Sequence, residues 1–185
     1  MSEQPASQVM DDSASWPRVT RILRGAGLVD TRWFTPESRE RGRAVHLACQ
    51  YLDDGDLDRA SVTEEIRPYL AAYEGFCEDI IWRQWAAIES PVKHSVLRYR
   101  GTPDRVSDAG AVYEIKTGAP APWHALQLAA YAACLSGHVE RWAVYLQADG
   151  KYKVVPYQSR TDWRAFQAAL TIYNWKLTHG AFSHG

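Results

Sequence analysis

The apolar residues of this chain change their spacing part-way along, and that change restricts the folds open to it. Up to Trp85 they recur three and four apart: in "LAAYEGFCEDIIWRQW", Leu70, Tyr73, Phe76, Cys77, Ile80, Ile81 and Trp85 form one stripe. That is the repeat of helices with one buried face. From Val92 to Thr117 the repeat falls to two. "VKHSVLRYRG", "TPDRVSD" and "AVYEIKT" read as three short strands, the last two joined by the tight turn "SDAG". A helix from about Pro122 to Leu135, a strand pair around "ADGK" and a final helix from about Thr161 to Thr178 complete the chain.

Three helices are expected before the strands. The first is capped at Ser15, has Pro17 in its first turn, carries Val19, Ile22 and Leu23, and ends near Gly25 and Gly27. The second opens at Thr35-Pro36, because proline at the first helical position gives up only an N–H that had no partner. Its apolar stripe reads Ala44, Leu47, Ala48 and Tyr51, and it stops in "DDGD". The third spans roughly Thr63 to Ile88. Residues 1–14 are polar and aperiodic, a disordered lead-in to a single α/β domain over residues 15–185.

The formal net charge of −1 does not announce a nucleic-acid binder, but the charge is unevenly spread. Arginines crowd the stretch from Arg18 to Arg43, and Asp53 to Glu89 is acidic, which makes either a basic groove or ordinary solvated helix faces. The three cysteines, Cys49, Cys77 and Cys134, form no CxxC pair, which excludes a zinc ribbon or a four-cysteine iron–sulfur cluster within one chain. Buried free thiols in a reducing cytoplasm are expected. Neither a signal peptide nor an apolar run of membrane-spanning length is visible.

Residues two apart in a strand share a face, so Glu114 and Lys116 project together while Ile115 points to the opposite layer. The hairpin through Asp108 to Gly110 brings Asp104 alongside. Two carboxylates so close push one pKa upward unless a divalent cation lies between them, and hard oxygen ligands suit Mg²⁺. A cation acidifies a bound water, and Lys116 can orient or deprotonate that water while countering phosphate charge. The set amounts to a site for phosphodiester hydrolysis. The bare pattern D-x(9)-E-x-K also arises by chance on ordinary strand surfaces.

Its neighbours narrow the reading. Asp104 stands in "GTPD", Glu114 and Lys116 in "EIKTG", and His46 in "RGRAVH" on a helix before the sheet. Gln127 and Tyr131, in "QLAAY", share one face of the helix that follows. This ordered set, H … GxxD … ExK … QxxxY, resembles the RecB-type, phage exonuclease-like branch of the PD-(D/E)xK nuclease superfamily, from about Ser15 to Leu146. The resemblance implies a restriction-endonuclease-like αβββαβ core, a central mixed β-sheet flanked by helices, with extra N-terminal helices. It implies a metal-dependent DNA nuclease, an exonuclease of phage or prophage-type DNA recombination, repair or processing. A structure-selective endonuclease and a non-catalytic DNA-binding protein on the same fold stay open.

By the same resemblance Asp104, Glu114 and the Ile115 backbone carbonyl would hold one or two Mg²⁺ or Mn²⁺ ions. His46 would be a further ligand, one whose imidazole favours Mn²⁺. Lys116 would be the catalytic lysine, with Gln127 and Tyr131 lining the site. Glu89 falls where some relatives carry an extra acid, and His124 either reaches a phosphate or faces solvent. DNA ends or single strands would be held by phosphate contacts with little sequence preference. Arg18, Arg21, Arg41, Arg43 and Arg105 would serve, along with Lys93, Arg98 and Arg100. Trp16, Trp33 and Trp123 are either stacking rings or core. A homo-oligomer and a recombination partner protein also stay open; no membrane partner is expected.

Overall fold

In a computed structural model, residues 12–32, 34–80 and 84–182 are described. The readings of residues 1–11, Trp33, Ile81 and His184 lie outside them. Asp12–Ser15 forms a 3-10 turn, so this part of the expected lead-in has local structure. Five helices follow: α1 (Val19–Gly25), α2 (Pro36–Asp54), α3 (Arg67–Asp79), α4 (Pro122–Ala132) and α5 (Thr161–Thr178). The strands are β1 (Trp85–Ile88), β2 (Val92–His94), β3 (Tyr99–Gly101), β4 (Arg105–Ser107), β5 (Val112–Lys116), β6 (Arg141–Leu146) and β7 (Tyr152–Pro156).

The main sheet has the order β1-β4-β5-β6-β7. In its first three strands β4 runs antiparallel to both neighbours, β1 and β5. α4 then crosses over to put β6 parallel to β5, and β7 returns antiparallel. Helix, three antiparallel strands, helix, parallel strand: this is the restriction-endonuclease-like core that was expected.

Two assignments differ. The third helix ends at Asp79, and Trp85–Ile88 is the first core strand. "WAAI" is apolar throughout and fits either period, and Trp85 stacks on Phe76 with ring centroids 6.4 Å apart, so it continued the helical stripe. The segment read as a core strand, residues 92–101, is instead the separate β2–β3 hairpin inserted between β1 and β4. Pro17 lies before α1 rather than inside it, and its carbonyl accepts from Arg100 N at 3.1 Å.

Thr35 caps α2 as expected, accepting from Ser38 N, and Gly55 ends it at φ 75°. The buried side of α2 is Val45, Ala48 and Cys49; Leu47 and Tyr51, expected inside, are exposed. Of the cysteines, Cys49 is buried and Cys77 and Cys134 are half-buried, all free.

Alternation along the strands divides the core in two. Val112, Ala143 and Tyr145 pack on α1, α4 and α5, while Tyr113, Ile115, Val144 and Leu146 pack on α2 and α3. Glu114 and Lys116 share the parity of Val112 and so face α4. Gly101 keeps the inserted hairpin against that layer: a Cβ there would overlap the Tyr131 ring. Gly101→Ala is therefore expected to destabilise the fold by about 1–3 kcal/mol, the usual cost of overpacking, read as a lower denaturation midpoint.

Candidate active site

Past the C-terminal end of β5 the two layers meet at a cleft of ≈ 640 Å³. His46, Ile115, Lys116, Trp123 and His124 line it, together with Ser38, Arg39 and Arg41 of α2. On the α4 side, Lys116 Nζ donates to Glu114 Oε1 at 2.9 Å and to Gln127 Oε1 at 3.0 Å, and lies 5.3 Å from the Trp123 ring centre. Gln127 Nε2 donates to Glu114 Oε1 at 2.7 Å and to the Tyr131 hydroxyl at 3.0 Å. The expected face-sharing of Glu114 with Lys116, and of Gln127 with Tyr131, thus becomes one continuous chain of bonds. Glu114 Oε2 is buried and has no partner among the described residues.

On the α2 side, Asp104 Oδ2 accepts from Ile115 N at 2.6 Å, which ties the start of β4 to β5. Asp104 Oδ1 is 3.3 Å from His46 Nδ1, and Glu89 Oε1 is 3.9 Å from the same nitrogen. Ligand atoms of His46, Glu89 and Asp104 all lie within 4.8 Å of one another, an arrangement able to hold a metal ion. Glu89 takes φ 46°, a strained value for a residue with a side chain, and its N–H donates to Asp104 O at 3.0 Å. Glu114 is not among these three. The immediate companions of Asp104 are His46 and Glu89, whereas Glu114 turns toward Lys116 and Gln127.

The charges respond to this crowding. Burial opposes a proton on His46, but Asp104, with Glu89 helping, overrides it and pushes the imidazole up to about 10. Burial alone would raise Asp104; His46, Lys116 and the Ile115 N–H outweigh it and hold the carboxyl below its ordinary range. Burial and the charge of Asp104 push Glu114 up to about 7 despite Lys116.

Arg105 corrects the expectation of a DNA contact. It is 1% exposed because it pairs inward: Nε donates to Asp53 Oδ2 at 2.6 Å and to the Tyr73 hydroxyl at 3.2 Å, and Nη1 to Asp104 O at 2.6 Å. Nη1 also lies 3.8 Å from Glu89 Oε1. Arg18, Arg21 and Arg43 are exposed, and Arg41 lines the cleft while reaching Glu65 at 3.5 Å. Trp123 lines the cleft, whereas Trp16 donates its Nε1–H to Asp12 and lies under Arg98. His124, read as either phosphate-reaching or solvent-facing, is buried at the cleft wall. Glu89, expected only as the place where some relatives carry an extra acid, follows the strand that was taken for helix; the turn "ESP" was the available signal.

No family model and no curated protein matches the chain. Among solved structures it is similar to the alkaline exonuclease LHK-Exo from Laribacter hongkongensis, with a TM-score of 0.51 at 14% identity over 86% of this chain and 87% of that one. The same exonuclease in complex with dAMP aligns at TM-score 0.51 and 14% identity over 89% of each chain. The likeness lies in the fold. It is the restriction-endonuclease-like core implied by the resemblance to the PD-(D/E)xK superfamily.

Two outcomes follow. Replacing Arg105 by Met strands Asp53 without its counter-charge and should cost about 3–5 kcal/mol in chemical denaturation. The pH dependence has a definite sign in chelator. A raised carboxyl favours the fold below its ordinary 4.5 and loses that contribution by about 7, the value of Glu114. His46 contributes fully below 6.5 and loses its contribution toward 10. The melting temperature should fall from pH 5 to 10, and His46→Gln should flatten the upper part; an unchanged slope would contradict the assignment.

Proposed function

We propose that the protein is a divalent-metal-dependent deoxyribonuclease of the PD-(D/E)xK superfamily, acting as an exonuclease on DNA ends in recombination, repair or processing of phage type. The observation that carries this reading is the joining of two halves at one strand end. The bonded set Glu114, Lys116, Gln127 and Tyr131 reaches the cleft through Lys116, and the cluster His46, Glu89 and Asp104 reaches it through His46. The solved exonuclease of like fold supports it.

The residues fit a resident cation. Mixed oxygen and imidazole donors converge, the buried Glu114 Oε2 lacks a partner among the described residues, and the pocket already favours positive charge on His46. His46, Glu89, Asp104 and Glu114, with the Ile115 carbonyl, would hold Mg²⁺ or Mn²⁺. When bound, such a cation neutralises the carboxylates and polarises the phosphate. Lys116 presents its ammonium to the phosphate and is kept in place by Glu114, Gln127 and the Trp123 ring. Gln127 spends both amide hydrogens inside the site, which orients Glu114 and fixes Tyr131. Ser38, Arg39 and Arg41 line the path of the strand, and Arg18, Arg21 and Arg43 are exposed and free to meet phosphates elsewhere on the surface.

Glu114→Ala and Lys116→Ala should each cut Mg²⁺- or Mn²⁺-dependent DNA degradation by about a thousandfold or more while the fold persists. Activity at the level of the unmodified protein in both variants removes the assignment. End-labelled linear duplex should be consumed and covalently closed circles left intact; cutting of circles makes the protein an endonuclease. In thermal melts Mn²⁺ should stabilise the protein, and less so after Asp104→Asn or His46→Ala.

A further inference from the structure

We propose that His124 binds the nucleic-acid strand directly, its Nε2–H donating to a non-bridging phosphate oxygen in the cleft beside Lys116. The identity of the occupant rests on the nuclease reading above; the direction of the hydrogen bond does not.

That direction is set by the opening of α4. The Ala121 N–H donates to His124 Nδ1 at 3.3 Å, and a backbone N–H can do nothing but donate. Nδ1 is therefore the acceptor of a neutral ring, and the proton is on Nε2. The Tyr145 hydroxyl, 2.8 Å from Nδ1, donates to the same nitrogen and in turn accepts from Tyr157, 2.8 Å away. Both tyrosines thus hold the ring in one tautomer and one orientation. His124 is 5% exposed and lines the cleft, and among the described residues the bonds its ring makes are both at Nδ1, none at Nε2. A buried ring with one nitrogen doubly satisfied and the other left as a free donor is built to meet an acceptor.

The surroundings name the acceptor. Lys116, Arg39 and Arg41 line the same cleft with Asp30, Lys116 also bonded to Glu114 and Arg41 reaching Glu65, and the phosphate of the nuclease reading is the acceptor that suits these donors. Ala121, Pro122 and Trp123, where α4 begins, line it too and add the positive end of a helix dipole. Trp123 ties the two donors together, 5.3 Å from Lys116 Nζ and 4.2 Å, ring to ring, from His124. Burial, with Lys116 nearby, also pushes the imidazole down to about 3, so the ring stays a neutral donor and never repels the lysine.

Asn and Gln separate the two nitrogens. In His124→Asn the amide oxygen takes over the bond from Ala121 N and no Nε2–H remains; in His124→Gln an amide N–H returns near the Nε2 position. Calorimetric titration with dAMP should show binding weakened about ten- to a hundredfold in His124→Asn and restored to within about threefold in His124→Gln. Deoxyadenosine, which lacks the phosphate, should lose nothing in either variant. Nitrogen NMR of the unmodified protein should show the Nε2–H tautomer, with its resonance moved by dAMP. An Nδ1–H tautomer, unchanged dAMP affinity in His124→Asn, or equal losses for dAMP and deoxyadenosine would each overturn the proposal. A folded protein that degrades no DNA sinks the nuclease reading; a dAMP loss confined to His124→Asn then still supports the phosphate contact.

Discussion

Arg105 enters the interior where α2, β1 and β4 meet, and the geometry of the cluster follows from what that guanidinium touches. Asp53 lies two helical turns after His46, on the same side of α2, so the ion pair with Asp53 fixes the helix that presents the imidazole. The same guanidinium holds the carbonyl of Asp104 and approaches Glu89. One side chain therefore sets all three elements that carry the cluster. A buried cation is tolerable only where its charge is met, and Asp53, Tyr73 and the Asp104 carbonyl meet it.

The sheet separates the two halves of the site everywhere except at the end of β5. Alternation sends Glu114 and Lys116 toward α4, while His46 stands on α2 across the sheet. They come together because β4 begins at Arg105 and leaves Asp104 just beyond the ladder, with its carboxylate on the Ile115 N–H. That bond replaces the strand pairing that would otherwise continue, so the carboxylate closes the sheet edge and joins the two halves in one step.

Much of this was legible in the sequence, and the failures have physical causes. Glu114 with Lys116 followed from strand parity, and Gln127 with Tyr131 from helical spacing, because both are local rules with fixed periods. Thr35-Pro36 marked the start of α2 because capping is local as well. β1 was hidden by "WAAI", whose four apolar or small residues carry no period. The α2 stripe was misplaced by one position, since Leu47 looked like core and the face next to it was needed for Val45 and Cys49. Arg105 and His124 could not be placed from sequence at all: a charged or polar side chain goes inside only when partners distant in the chain, here Asp53 and Tyr145, are waiting for it.

The site also carries more negative charge than its own cations settle. Asp104 and Glu89 crowd His46, Glu114 feels the charge of Asp104, and the protein answers by favouring a proton on His46 and by raising Glu114 to about 7. Neither answer is complete, since Glu114 Oε2 remains buried without a partner among the described residues. On the proposed reading a divalent cation would supply in one step the charge that two protons supply piecemeal, so proton and metal would compete for the same place. Binding should then release protons and strengthen as pH rises through the range in which His46 and Glu114 give theirs up. On this account the alkaline side of neutrality favours the metal-loaded form because of how the carboxylates are packed, before any step of the chemistry is considered.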